Sequence, residues 1–359
     1  MKSCTLLTIL ALTLTIGLAA PAGAQSAADL SPNLREAYVE VPERVVALVN
    51  VRVIDGTGAP PRDGQTIVIR DGRIAQIAPA ATFDPPGDAR VIDLSGHTVI
   101  PGIVGLHDHT FYTTAARRVQ ITETAPRLYL AGGVTTIRTT GSYHPYSELN
   151  LRRAIGAGTQ IGPRMYVTGP YITGATTGYM TSISSPEDAR RVVAYWAEEG
   201  VDWMKAYTTI GRAELEAAID EAHARGIKVT GHLCSVSFRE AVDLGIDNLE
   251  HGLFTNSDYA AGKRPDVCPG NLRERHPDLD MSSDEVQATF RDMVEGGVPM
   301  TSTLAIYELV VPGRPAELDQ RMLDVLAPEV RDEYLKMREQ IAMNAEDSNW
   351  PEYFSQAQA

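Results

Sequence analysis

The chain has 359 residues, a net charge of −14 and no Lys/Arg cluster, a balance that argues against nucleic acid or an anionic membrane surface as partner. Its 43% apolar content suffices for a large core, either one barrel or a barrel with a small second domain, and past the N-terminus no apolar run reaches membrane length. Self-association into a homo-oligomer is left open.

Residues 1–24 combine Lys2, an apolar stretch from Leu6 to Ala20, and Ala22-Gly23-Ala24, an A-x-A cleavage site. That pattern predicts a signal peptide of bacterial type, cleaved near Ala24, and a secreted or periplasmic mature protein. Residues 25–42, rich in Ser, Ala, Pro and Glu, read as a leader. Beyond the signal only Cys234 and Cys268 remain; they allow one disulfide in an oxidising compartment without requiring it, and a free or merely packed pair is the simpler expectation.

Residues 43–100 show short alternating apolar runs broken by turns, with Asp71-Gly72 as a hairpin signal, and predict a small, incomplete β-sandwich-like domain. From residue 101 onward strands alternate with helices. Gly132-Gly133, Gly162, Gly200, Gly226, Gly245 and Gly296-Gly297 each precede an apolar strand, and Ser185-Pro186 has the form of a helix start. Strands hidden on both faces imply a parallel sheet. The pattern predicts an α/β fold of the (β/α)₈ TIM type, which needs eight strands, yet only seven are visible, from the run ending in His107-Asp108-His109 to VPMTSTLAIYEL. A Pro-containing loop and a helical stretch follow, so residues 101–359 read as a barrel truncated before strand 8.

The chemistry gathers at the strand ends. In a strand, His107 and His109 point to one face, half of a site for a zinc-like ion. Lys205, His232 and His251 occupy the ends of three later strands, and in a parallel barrel such ends converge at one mouth. Lys205, flanked by Trp203 and Met204, would have its charged form disfavoured by desolvation; a neutral amine there can capture carbon dioxide as a carbamate, an anionic ligand able to bridge two metals. The alternative is an unmodified lysine paired with a barrel acid. Tyr207, His144 and Arg138 are candidate substrate contacts, Arg138 for a carboxylate unless it pairs with a barrel acid. His97, His223 and His276 fall in turn or helix contexts and read as solvated.

The motifs PGIVGLHDH, the lysine strand, GHL and EHG together resemble the amidohydrolase superfamily, in particular its secreted imidazolonepropionase-like and Xaa-Pro dipeptidase-like branch, from about Val45 onward. The resemblance implies two divalent metal ions, zinc foremost with manganese open: His107 and His109 on the more buried ion, carboxylated Lys205 bridging, His232 and His251 on the second. It implies a metal-dependent hydrolase of amide-type carbon–nitrogen bonds, attacking by a hydroxide between the ions, in a small molecule such as a dipeptide or N-acyl amino acid. A cyclic amide or ester is the alternative substrate. Two departures from the family pattern stand out. Gly105 replaces an aspartate two residues before His107, and the strand-8 aspartate that would ligate the buried metal and shuttle a proton is absent, which raises a different class of reading, an inactive metal- or ligand-binding fragment. Asp108 does not replace that aspartate, because it faces away from the histidines.

Overall fold

A computed structural model describes residues 27–113, 117–175, 178–272 and 278–358; the signal segment and His276 lie outside them. Helix α1 (Pro32–Tyr38) leads into strands β1 (Val45–Val53), β2 (Arg62–Arg70), β3 (Arg73–Pro79), β4 (Arg90–Asp93) and β5 (Thr98–Val99). These form one five-stranded sheet, ordered β3-β2-β1-β4 with β5 also on β1. Asp71 and Gly72, both at positive φ, make the β2–β3 hairpin. Val51, Val53 and Ile67 fill its small apolar core.

The larger body begins with β6 (Ile103–Asp108), the hairpin β7 (Phe111–Thr113) and β8 (Arg118–Gln120), α2 (Ala125–Ala131), β9 (Val134–Thr139) and α3 (Pro145–Gly156). Next come β10 (Arg164–Tyr166), β11 (Thr168–Thr173), β12 (Thr181–Ser182), α4 (Pro186–Glu199), β13 (Trp203–Ala206), α5 (Arg212–Ala224) and β14 (Lys228–Gly231). After α6 (Phe238–Asp243), β15 (Asn248–Glu250), α7 (Asp284–Gly296) and β16 (Met300–Thr301) the chain is helical: α8 (Leu304–Val310), α9 (Gln320–Val325), α10 (Pro328–Met343) and α11 (Trp350–Gln358).

The sheet strands of this body pair in parallel. One series runs β6-β9-β10 and another β12-β11-β13-β14-β15-β16, joined across by a bridge from Ser142 to Pro170 and by Thr168 donating to Thr139. The seven strand segments read in the sequence are all present in chain order, and no closed sheet is recorded among the described residues. Strand β6 has a neighbour only on its β9 side there, and its Val104 and Leu106 are more than half exposed.

The helix signals work as their chemistry predicts. Ser185 caps α4 by accepting from Asp188 N, Pro186 opens it, and Gly200 closes it at φ 95, a conformation costly for a residue with a Cβ. The main core, including Ile137, Ile172, Met204, Leu215, Val229 and Leu249, lies between these strands and α3–α7. Two expectations change. The seventh strand is only Met300–Thr301: Thr303 sits in the left-handed region at φ 53, and the apolar run after it folds as α8. Cys234 and Cys268 are bonded, with Cα atoms 4.9 Å apart, where a free pair was the simpler expectation. Among the described residues no helix is long and apolar enough to cross a membrane.

Candidate active site

Strand register decides which side chains meet. Lys205 lies opposite Thr230, and Thr230 opposite Asn248, on three adjacent strands. With a period of two, Tyr207, His232 and Glu250 form the next row on the same face. Glu250 therefore takes the inward position at the end of β15. His251 reaches the site only because its backbone turns left-handed, at φ 72, an uncommon conformation that costs of order 1 kcal/mol for a residue with a Cβ. Helix α8 holds that turn: Thr303 Oγ1 lies 3.0 Å from His251 Nδ1, and the Tyr307 hydroxyl donates to the His251 carbonyl.

Glu250 is the floor of the site and the residue that sequence reasoning missed. It is fully buried. Its Oε2 accepts from His107 Nδ1 at 2.7 Å; its Oε1 accepts from Arg138 Nη2 at 2.7 Å, from Asn248 Nδ2 at 2.9 Å and from the Thr230 hydroxyl. Burial opposes its charge, but Lys205, His107 and Arg138 outweigh burial and hold its pKa at about 2. The sequence signal was available in Asn248-Leu249-Glu250, whose alternation puts two polar side chains on the inner face.

Lys205 is 1% exposed, and its Nζ has no hydrogen-bond partner, standing 4.0 Å from Glu250 Oε1. Burial lowers its pKa to about 7, so a substantial share of the amine is neutral near pH 7. The four histidines follow one another around the mouth, with ring centroids 5.4 Å apart for His109 and His107, 4.7 Å for His107 and His251, and 4.2 Å for His251 and His232. Burial, reinforced by His107 and Lys205, lowers His109 to about 3; burial also lowers His107, and drives His251 well down with help from His232. His107 and His109 donate through Nδ1, to Glu250 and to the Gly141 carbonyl, which leaves Nε2 with its lone pair. Among the described residues no three His, Cys, Asp or Glu side chains stand in closed metal-holding geometry. The imidazoles of His107, His109 and His251, kept neutral by burial and with Nδ1 already engaged, nevertheless form with His232 and the buried Lys205 amine a donor set suited to divalent ions.

The aromatic side chains complete the rim. His109 contacts Phe111 at 4.5 Å, and Phe111 faces Tyr143 at 6.0 Å. Tyr143, Tyr179, Tyr171 and Tyr207 follow at 5.2, 5.6 and 5.4 Å, and Tyr207 meets His232 at 4.6 Å, closing the circuit. Beside His251 opens a cavity of about 400 Å³ lined mainly by apolar groups such as Leu253, Phe290 and Met300.

Of the three substrate candidates, Tyr207 lies on this rim and exposed His144 stands behind it against Tyr143 at 4.3 Å. Arg138 does not face a substrate. It is 6% exposed, bonds Glu250 and the Leu106 carbonyl, and stacks on Trp203 at 4.5 Å, so the barrel-acid alternative describes it. Burial raises the Asp108 carboxyl to about 6, against the Tyr129 hydroxyl and the Arg138 charge, and the carboxylate fills the space beside Gly105 that a Cβ there would occupy. His223 pairs with Asp247 at the surface and His97 is exposed.

Residues 98–261 match the profile of the Amidohydrolase family. The chain carries an amidohydrolase-family domain. The chain is 35% identical to a dihydroorotase from Anaeromyxobacter dehalogenans over 34% of its own length and 28% of that protein's, and 36% identical to an enamidase from Eubacterium barkeri over 24% and 22%. It thus spans less than a third of the length of either relative. A solved structure of a Xaa-Pro dipeptidase with bound methionine superposes with a TM-score of 0.58 at 20% identity, covering 83% of this chain and 74% of that one, a likeness of fold. The amidohydrolase domain and its TIM-barrel-type neighbours agree with the α/β class read from the strand–helix rhythm.

Proposed function

We propose that this protein hydrolyses an amide-type carbon–nitrogen bond in a small molecule such as a dipeptide or N-acyl amino acid, using two divalent ions. His107, His109, His232 and His251 would hold the ions, with Lys205 bridging them as its carbamate. The single observation that carries this reading is the Lys205 amine, buried among neutral imidazoles with no hydrogen-bond partner. A free amine lone pair adds to the carbon of carbon dioxide and the nitrogen then loses a proton, converting a misplaced cation into an anionic oxygen ligand. When bound, divalent ions polarise the carbonyl under attack and bring the pKa of water toward neutrality.

The chain's own groups orient the reaction. Glu250 fixes His107 through Nδ1, the Gly141 carbonyl fixes His109, and Thr303 meets His251. Tyr207 and the neighbouring rings exclude water from one side of the mouth. Secretion belongs to the same reading, supported by the Leu6–Ala24 pattern and by the Cys234–Cys268 bond, which suits an oxidising compartment. The test combines metal analysis of the purified protein, ¹³C NMR detection of a lysine carbamate in labelled bicarbonate, and a panel of dipeptides, N-acyl amino acids, cyclic amides and esters. Metal near two per chain with turnover of linear amides is the expected result. Preference for cyclic amides or esters would correct the substrate, and metal binding without any turnover would leave the binding-fragment reading.

A further inference from the structure

We infer that Arg118 is a specificity residue, the receptor for a carboxylate on the substrate, and that the tyrosine wall beneath it takes an aromatic or bulky apolar side chain next to that carboxylate. The inference rests on the proposed amide hydrolysis and names the residue that reads the substrate's charge.

Arg118 opens β8, on the hairpin that directly follows His109. Its guanidinium lies 4.3 Å from the centroid of Tyr179, at the outer edge of the rim. The preceding Arg117 pairs with Glu333 at 3.3 Å, and Arg138 is held by Glu250, but Arg118 has no carboxylate partner among the described residues. An exposed guanidinium stacked on a ring keeps its planar fork of donors available for bidentate binding of a carboxylate. Its field reaches inward as well: burial raises the hydroxyl pKa values of Tyr171 and Tyr179, and the Arg118 charge opposes that rise at both. Tyr207 is in turn the ring that touches His232. A continuous aromatic surface therefore connects the imidazoles to one unpaired cation. A ligand that lays an apolar side chain along Tyr207, Tyr171 and Tyr179 and ends in an anion matches both halves.

The probes are Ala-Phe and its C-terminal amide, which differ in one charge. With the metal-loaded full chain, kcat/KM and, by calorimetry, Kd are measured for both probes in the unaltered protein, in Arg118→Gln and in Arg117→Gln. The unaltered protein and Arg117→Gln should prefer the carboxylate about tenfold, the low end for a hydrogen bond to a charged group, and Arg118→Gln should bind both probes alike. No preference in the unaltered protein, or one that survives in Arg118→Gln, overturns the inference even where amides are hydrolysed. A binding preference that depends on Arg118 without turnover of either probe keeps the anion receptor and counts instead against the proposed reaction.

Discussion

The floor of the site and its rim are built on different principles. At the floor, Glu250 is fully buried and is bonded by His107, Arg138, Asn248 and Thr230, all carried on or at the ends of parallel strands. The rim draws on a short hairpin and loop segments, where Phe111, Tyr143 and Tyr179 are only partly covered and Arg118 is exposed. Groups that must hold charge in place sit where the backbone cannot shift, and groups that meet a ligand sit where sequence can change without disturbing the core.

Glu250→Gln should break the floor with the largest effect. Removing that charge leaves Arg138 and Lys205 buried without compensation, so stability in urea unfolding should fall by about 3–5 kcal/mol, and metal content should drop with it. A loss below about 1 kcal/mol would show that the network contributes little. Lys205→Ala should lower metal content and turnover together, turnover by at least about 10²-fold, with partial rescue by short carboxylic acids that occupy the carbamate's place. Normal metal stoichiometry in that variant would remove Lys205 from the bridge.

The third prediction concerns pH. His109 has a folded pKa of about 3 against an ordinary 6.5, so the unfolded chain binds the extra proton and the folded state does not. Its contribution to stability is complete above pH 6.5 and is lost as pH falls through the window down to 3. Between pH 7 and pH 5 this amounts to about 2 kcal/mol for the metal-free protein, read from urea midpoints. A midpoint that does not move over that range would mean that the ring is protonated in the folded state. The smallest effect belongs to the rim: Tyr179→Phe should change stability by no more than about 0.5 kcal/mol. A larger loss would show that the rim is as tightly built as the floor.

What was legible in the sequence follows the same division. The strand positions of His107, Lys205 and His232 could be read because period-two alternation and glycine stops are local signals. Glu250 is hard to read from sequence because three of its four partners, His107, Arg138 and Thr230, lie on other strands, and only Asn248 stands near it in the chain. The residues after Thr301 were misassigned because a short apolar run suits strand and helix equally, and Thr303 in the left-handed region decides for helix. The pairing of Cys234 with Cys268 depends on how two loops approach, which spacing does not encode. Arg118 carried no motif at all, since an arginine becomes distinctive only when its neighbours are seen to have found partners and it has not.

Gly141 ties floor and rim together. Its carbonyl receives the His109 Nδ1 proton, its backbone sits at φ 92, and a Cβ there would come within 2.5 Å of the Tyr171 ring. A methyl group at this one position would push the tyrosine wall and the His109 imidazole at once. Substitutions in the exposed hairpin can alter the rim alone, whereas at Gly141 altering the rim and displacing His109 become a single event.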